Sequence, residues 1–182
     1  MKLWQDFIYW LTIRPRLAML RWQFPDVEIS PAGSRYVCNP PSLLTDVDFL
    51  VYTEAPIEAA LMALGYKESQ FIEYANCHLQ GLEFKSWRKK KVNLIVSSSR
   101  LFSDCYNVAT HICKTYNLRY KHHRVLVHEV VRNPTANIVM LDSIYEDFDP
   151  GVKNLLRTLT GPHAATMREA YKAKHMSNQE SP

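Results

Sequence analysis

The sequence predicts an α+β fold: a small mixed β-sheet flanked by helices and followed by a helical C-terminal cap. Three observations carry this expectation. Segments rich in β-branched and aromatic residues gather between residues 27 and 97. One helical segment interrupts them at 56–66. Beyond residue 100, apolar residues recur at spacings of three and four, the period of an amphipathic helix. Such grouping gives a core sheet with helices set against it. The 182 residues suit one domain, and 47% of them are hydrophobic, enough for a real core. Five glycines and ten prolines exclude a collagenous or low-complexity chain.

Each element has a local reason. Residues 3–23 read as helices broken at Pro15, with Trp4, Phe7, Ile8 and Leu11 on one stripe. Gln5 and Asp6 interrupt the apolar run that a signal peptide would need. No apolar run reaches the roughly 20 residues of a membrane span. Residues 27–30 have strand chemistry and run into a turn at PAGSR. CNPPS (38–42) is a loop, because paired prolines cannot continue a ladder. Residues 46–52 form a strand, and 56–66 a helix stopped at Gly65. Residues 81–88 and 91–97 make a hairpin with a basic turn. Phe102, Tyr106, Ala109, Cys113 and Tyr116 line one helix, and 121–131 form another. A helix over 149–161 has Asp149 as its cap, Pro150 at its first position and Gly161 beyond its end. A last helix spans 162–175. The chain thus divides into N-terminal helices (1–25), a core (26–100), a helical cap (101–175) and a frayed tail (176–182).

Lys plus Arg number 22 against 18 for Asp plus Glu, a net charge of +4. That mild excess permits a phosphate-bearing partner without demanding one. Cys38, Cys77, Cys105 and Cys113 form no CxxC pair and read as reduced thiols. A zinc site from Cys77, His78, His111 and Cys113 has the wrong spacing for a finger. His122, His123 and His128 read as solvated or lightly packed, with His122 or His128 a minor candidate for acid–base work.

The chemistry concentrates in AGSRYVCNPPSLLTDVDFLVY. Gly33 and Ser34 follow a strand, and Asp46-Val47-Asp48 opens the next. Strand side chains alternate, so Asp46 and Asp48 point to one face. Two carboxylates there repel each other unless a cation joins them, and hard oxygen ligands suit Mg²⁺ or Mn²⁺. A Gly-Ser turn lets backbone and hydroxyl approach a phosphate. Lys85, Arg88, Lys89, Lys90 and Lys91 add a basic patch. One reading of it is a solvated hairpin turn that deters edge pairing. The other is a clamp on triphosphate or nucleic acid, with Trp87 as a stacking surface.

Gly-Ser, a fixed gap and acid-x-acid entering an apolar strand resemble the nucleotidyltransferase superfamily of DNA polymerase beta type. GSR-x-x-CNPP, TDVDFLV, VNLIVS and AT-x-x-CK-x-x-NL narrow the resemblance to small nucleotidyltransferase-like proteins of tailed bacteriophages, over roughly residues 30–134. The resemblance implies a nucleotidyltransferase-type sheet and Mg-dependent transfer of a nucleoside monophosphate from an NTP. Asp46 and Asp48 would hold the metal, with Asn93 as the third catalytic position. Gly33, Ser34, Arg35, Lys85 and Arg88 would bind the nucleotide. The acceptor would be an RNA 3′ end, a small molecule or a protein side chain, and the location the (host) cytoplasm. The usual enzymes carry a third carboxylate where this chain has Asn93, and Asn belongs to the phage branch. Glu83 is a candidate substitute. The alternative is a nucleotidyltransferase fold without transfer, acting as a nucleotide-, nucleic-acid- or host-protein-binding module.

Overall fold

The computed structural model describes residues 13–41, 45–70, 81, 83–133, 149–160 and 163–176. The expected stripe of Trp4, Phe7, Ile8 and Leu11, the Cys77–His78 pair, Gly161 and the tail from 177 lie outside them. The described elements, in order, are α1 (Arg14–Gln23), β1 (Glu28–Ala32), α2 (Gly33–Val37), β2 (Val47–Tyr52), α3 (Glu58–Ala63) and β3 (Lys67–Ser69). They continue with β4 (Lys85–Lys89), β5 (Val92–Ser97), α4 (Arg100–Thr115), α5 (Lys121–Arg132), α6 (Pro150–Thr158) and α7 (Ala164–His175). The chain is a mixed α+β fold with an open five-stranded sheet flanked by helices.

The sheet order is β1-β2-β5-β4-β3. β2 and β5 pair in parallel at the centre, and every other neighbour pair is antiparallel. The period-two pattern splits the side chains between two cores. Phe49, Val51, Trp87, Val92 and Leu94 pack with Ile13 and Leu20, and with Ile57, Leu61 and Tyr66. On the opposite face, Ala32, Leu50 and Ile95 pack with Phe84, Phe102 and Tyr106. Both faces of β2 and β5 are thus covered, which explains their unbroken apolar character.

The boundaries follow from local chemistry. Pro15 stands in the first turn of α1, where its missing N–H costs nothing. Ser99 caps α4 by accepting from the Phe102 N–H. Asp149 caps α6, accepting from Gly151 at 2.8 Å and Val152 at 3.1 Å. Gly65 takes φ +80 just after α3, as a helix-stopping glycine does. The Asn39–Pro40 peptide in the predicted loop is cis.

Three expectations need correction. The strand before Gly33 runs on through Pro31 and Ala32, and the predicted turn closes into α2. Pro31 is tolerated because β1 is an edge strand. β3 was not foreseen, since three residues carry no readable alternation. Phe102 and Tyr106 of α4 pack over the sheet. His123 and His128 are buried rather than solvated. α4, α5 and α6 form a further cluster that includes Ile112, Leu126, Val130, Val152 and Leu156. Among the described residues no helix is long and apolar enough to cross a membrane.

Phe102 is 1% exposed and stacks on Phe84 with ring centroids 5.1 Å apart. It closes one face of the sheet. Phe102→Ala is expected to cost about 3–5 kcal/mol, read as a lowered midpoint in denaturant unfolding.

Candidate active site

Register brings the candidate residues into one row. Ala32 of β1 pairs with Asp48 of β2. Asp48 pairs with Asn93 of β5, and Asn93 with Arg88 of β4. Directly paired residues share a face, so Asp48, Asn93 and Arg88 stand side by side. Asp46 precedes them on the same face by strand alternation. The row lies beyond the apolar cover supplied by Phe102 and Tyr106, at the end of the sheet where β2 and β5 begin.

The contacts are specific. The Asn93 amide Nδ2 donates to Asp48 Oδ1 at 3.0 Å. Its carbonyl Oδ1 accepts from Ser86 Oγ at 2.7 Å. Ser86 Oγ lies 3.1 Å from Ser69 Oγ. Asn93 is 1% exposed and Ser86 fully buried, so the link between them is shielded from water, while Ser69 and Asp48 at the two ends are half-buried. The arrangement is self-consistent: an ionised Asp48 needs a donor facing it, and the amide then needs a donor at its other end. Arg88 reaches Asp46, with the nitrogen 3.1 Å from Oδ2.

Gly33 defines the other wall. It takes φ +71, and a Cβ placed there would fall 1.9 Å from Asp48 Oδ2. Only glycine permits both that backbone and that approach. The reason for a glycine before Ser34 is therefore the Asp48 carboxylate itself. Ser34 and Arg35 follow in the first turn of α2, both half-buried.

The electrostatics single out Asp48. Burial pushes its carboxyl above the ordinary value, and the neighbouring Asp46 pushes the same way. The Asn93 hydrogen bond and the charges of Arg88 and Arg124 oppose the rise without cancelling it. Arg124 was not foreseen as part of this field. It is buried, and its guanidinium donates to the carbonyls of Leu118 at 2.9 Å and Arg119 at 2.6 Å.

Several expected contributors stand elsewhere. Lys85 points from the opposite sheet face and pairs with Glu58 at 3.2 Å. Trp87 shares that face and is core, so it is no stacking surface. Glu83 pairs with Arg132. It sits by Ser97, four residues and about 13 Å along β5 from Asn93, so it does not replace a third carboxylate. His128 packs on Tyr106 with centroids 4.4 Å apart, and burial holds its pKa down to about 4, with Arg124 adding to the effect. That leaves a neutral core imidazole. Lys90 and Lys91 are exposed at the hairpin turn, at the end of the sheet that carries Asp46, since the Val47 N–H donates to the Lys91 carbonyl. Among the described residues no group of three or more His, Cys, Asp or Glu could hold a metal. No family model, curated protein or solved structure gives a significant match to this chain.

Asp48 takes up a proton more readily when folded than when unfolded. Stability therefore falls as pH rises from the ordinary carboxyl value through the raised one, and the penalty is complete above it. Asp48→Asn keeps an acceptor for Asn93 and removes that penalty. The variant is expected to melt higher than the parent at pH 7, with the gap closing as pH falls toward 4. Thermal melts across pH check this.

Proposed function

We propose that this chain is a nucleotidyltransferase-type protein that binds an NTP with Mg²⁺ or Mn²⁺ and transfers a nucleoside monophosphate to an acceptor hydroxyl. The observation that carries the reading is the row Gly33–Asp48–Asn93. A glycine at positive φ lies against the second Asp of an acid-x-acid pair, and the strand beside it in parallel supplies the third position. The reading is supported because the resemblance also calls for a Gly-Ser turn, an acid pair and a later strand.

The donor set fits one hard cation. Asp46 and Asp48 offer carboxylate oxygens on one face, and triphosphate oxygens and water would complete the six positions that Mg²⁺ prefers. Bound there, the ion would neutralise charge on the transferring phosphate. Asn93 would not ligate it in the arrangement seen, because the Asn93 carbonyl is committed to Ser86. Its task is to hold Asp48 by the amide N–H. Ser34 and Arg35 follow Gly33 in the first turn of α2, and Arg88, Lys90 and Lys91 supply positive charge from the hairpin side. In the transfer, the acceptor oxygen bonds to the α-phosphorus as the bond to the β-phosphate oxygen breaks. Pyrophosphate leaves, and the hydroxyl proton passes to solvent, because a neutral amide cannot take it. Positioning and charge would then supply most of the rate.

A second reading is supported by a specific contact. Arg88 already pairs with Asp46, and Asn93 brings no third charge. A site so balanced also suits a module that binds nucleotide, nucleic acid or a host protein without transfer.

Thermal-shift titration with each NTP, with and without Mg²⁺ or Mn²⁺, tests the proposal. At a hundred times its Kd a ligand stabilises by about 2.7 kcal/mol, or roughly 5–10 °C for a chain of this size. The shift should require the metal and vanish in the Asp46→Asn/Asp48→Asn variant. No shift with any NTP overturns nucleotide binding. A shift without pyrophosphate release selects the second reading.

A further inference from the structure

One member of the acidic pair already has a cation. The Arg88 guanidinium lies 3.1 Å from Asp46 Oδ2, with the two side chains 46% and 34% exposed. Two features of the sheet set that contact. Arg88 pairs with Asn93, and Asn93 with Asp48, so Arg88 stands on the face of Asp48 two strands away. The Val47 N–H donates to the Lys91 carbonyl at 2.7 Å, which ties the chain beside Asp46 to the end of the hairpin that carries Arg88. Asp48 differs from Asp46 here. It forms no ion pair among the described residues, and the group bonded to it is the neutral Asn93 amide.

A divalent cation brought to the pair meets the positive charge of Arg88 at short range, so the two compete for Asp46. Arg88 holds its place weakly. A part-exposed ion pair contributes little, and a better anion draws the arginine away. A triphosphate is such an anion, because its several charged oxygens match the planar guanidinium fork. Lys67 of β3 serves as a comparison. It stands opposite Arg88 in register and is exposed, and it forms no ion pair among the described residues.

We infer that Arg88 is a gate on the acidic pair: it holds Asp46 until a nucleotide enters, then moves to the triphosphate and releases Asp46 to the divalent cation. The inference rests on the proposed function and gives it an order. The cation binds weakly alone and well with nucleotide, and Arg88 supplies part of that coupling. By linkage the coupling acts equally in both directions.

The test needs no turnover. Mn²⁺ is titrated into the full chain without nucleotide, and binding is read from the loss of the free-ion electron paramagnetic resonance signal. Arg88→Gln should bind Mn²⁺ roughly threefold more tightly than the parent. Lys67→Gln, which removes a neighbouring charge but no contact with Asp46, should bind it like the parent. In EDTA, the NTP that raises the melting temperature of the parent most should bind Arg88→Gln about tenfold more weakly. The gate is overturned by parental Mn²⁺ affinity in Arg88→Gln, by equal tightening in Lys67→Gln, or by an NTP affinity in EDTA that does not depend on Arg88. The Asp46→Asn/Asp48→Asn variant separates this claim from the one beneath it. If that variant keeps parental Mn²⁺ affinity, the cation is not held at the pair, and the proposed function falls with the gate. If it loses Mn²⁺ while Arg88→Gln behaves like the parent, the gate alone is overturned.

Discussion

The hydrogen bond from Asn93 to Asp48 is the constraint around which the rest of the site is arranged. It crosses the parallel pair at the centre of the sheet. A carboxylate placed there loses water, and its pKa rises as a result. The chain answers with a buried amide, which needs its own partner in Ser86 and a glycine wall to leave room. Each piece is costly alone. Together they hold one oxygen of Asp48 fixed and leave the other toward Gly33. Arrangements that sacrifice local stability in this way are expected where a protein keeps a site rather than a core.

Strand alternation does the sorting. On β4, Ser86 and Arg88 face the acidic pair, while Lys85 and Trp87 face the other way. One strand thus contributes a buried hydroxyl and a cation to the site, and an indole to the core. A one-residue slip would exchange the two sets, so the register fixed by the two-residue turn at Lys90 and Lys91 is also the register of the site. The cover of Phe102 and Tyr106 ends before the row begins, and Asp46 and Arg88 stay partly exposed while Asn93 is buried.

Much of this was legible in the sequence. Strands β2 and β5 showed in their apolar, β-branched runs, and α4 showed in its spacing of three and four. The Asp46–Asp48 pair and Gly33 could be singled out because the chemistry of an acid pair and a glycine turn is local. What was hidden is non-local. Trp87 and Lys85 looked functional because they adjoin Arg88 in the chain, yet alternation sends them to the far face. Glu83 looked close to Asn93 until the register placed it at the other end of β5. Ser86 offered one faint signal: a small polar residue at period two from Arg88 in a strand. Arg124 offered none, because its part in the site depends on how α5 packs.

The central claim is that a divalent cation can be held at Asp48 within reach of Asn93. The most direct measurement is the side-chain amide signal of Asn93 in ¹⁵N-labelled protein as Mn²⁺ is added with a nucleoside triphosphate. The account predicts strong, selective broadening of that signal in the parent and its survival in Asp48→Asn. An Asn93 signal that stays sharp at Mn²⁺ levels that broaden backbone amide signals beside exposed carboxylates elsewhere would contradict it.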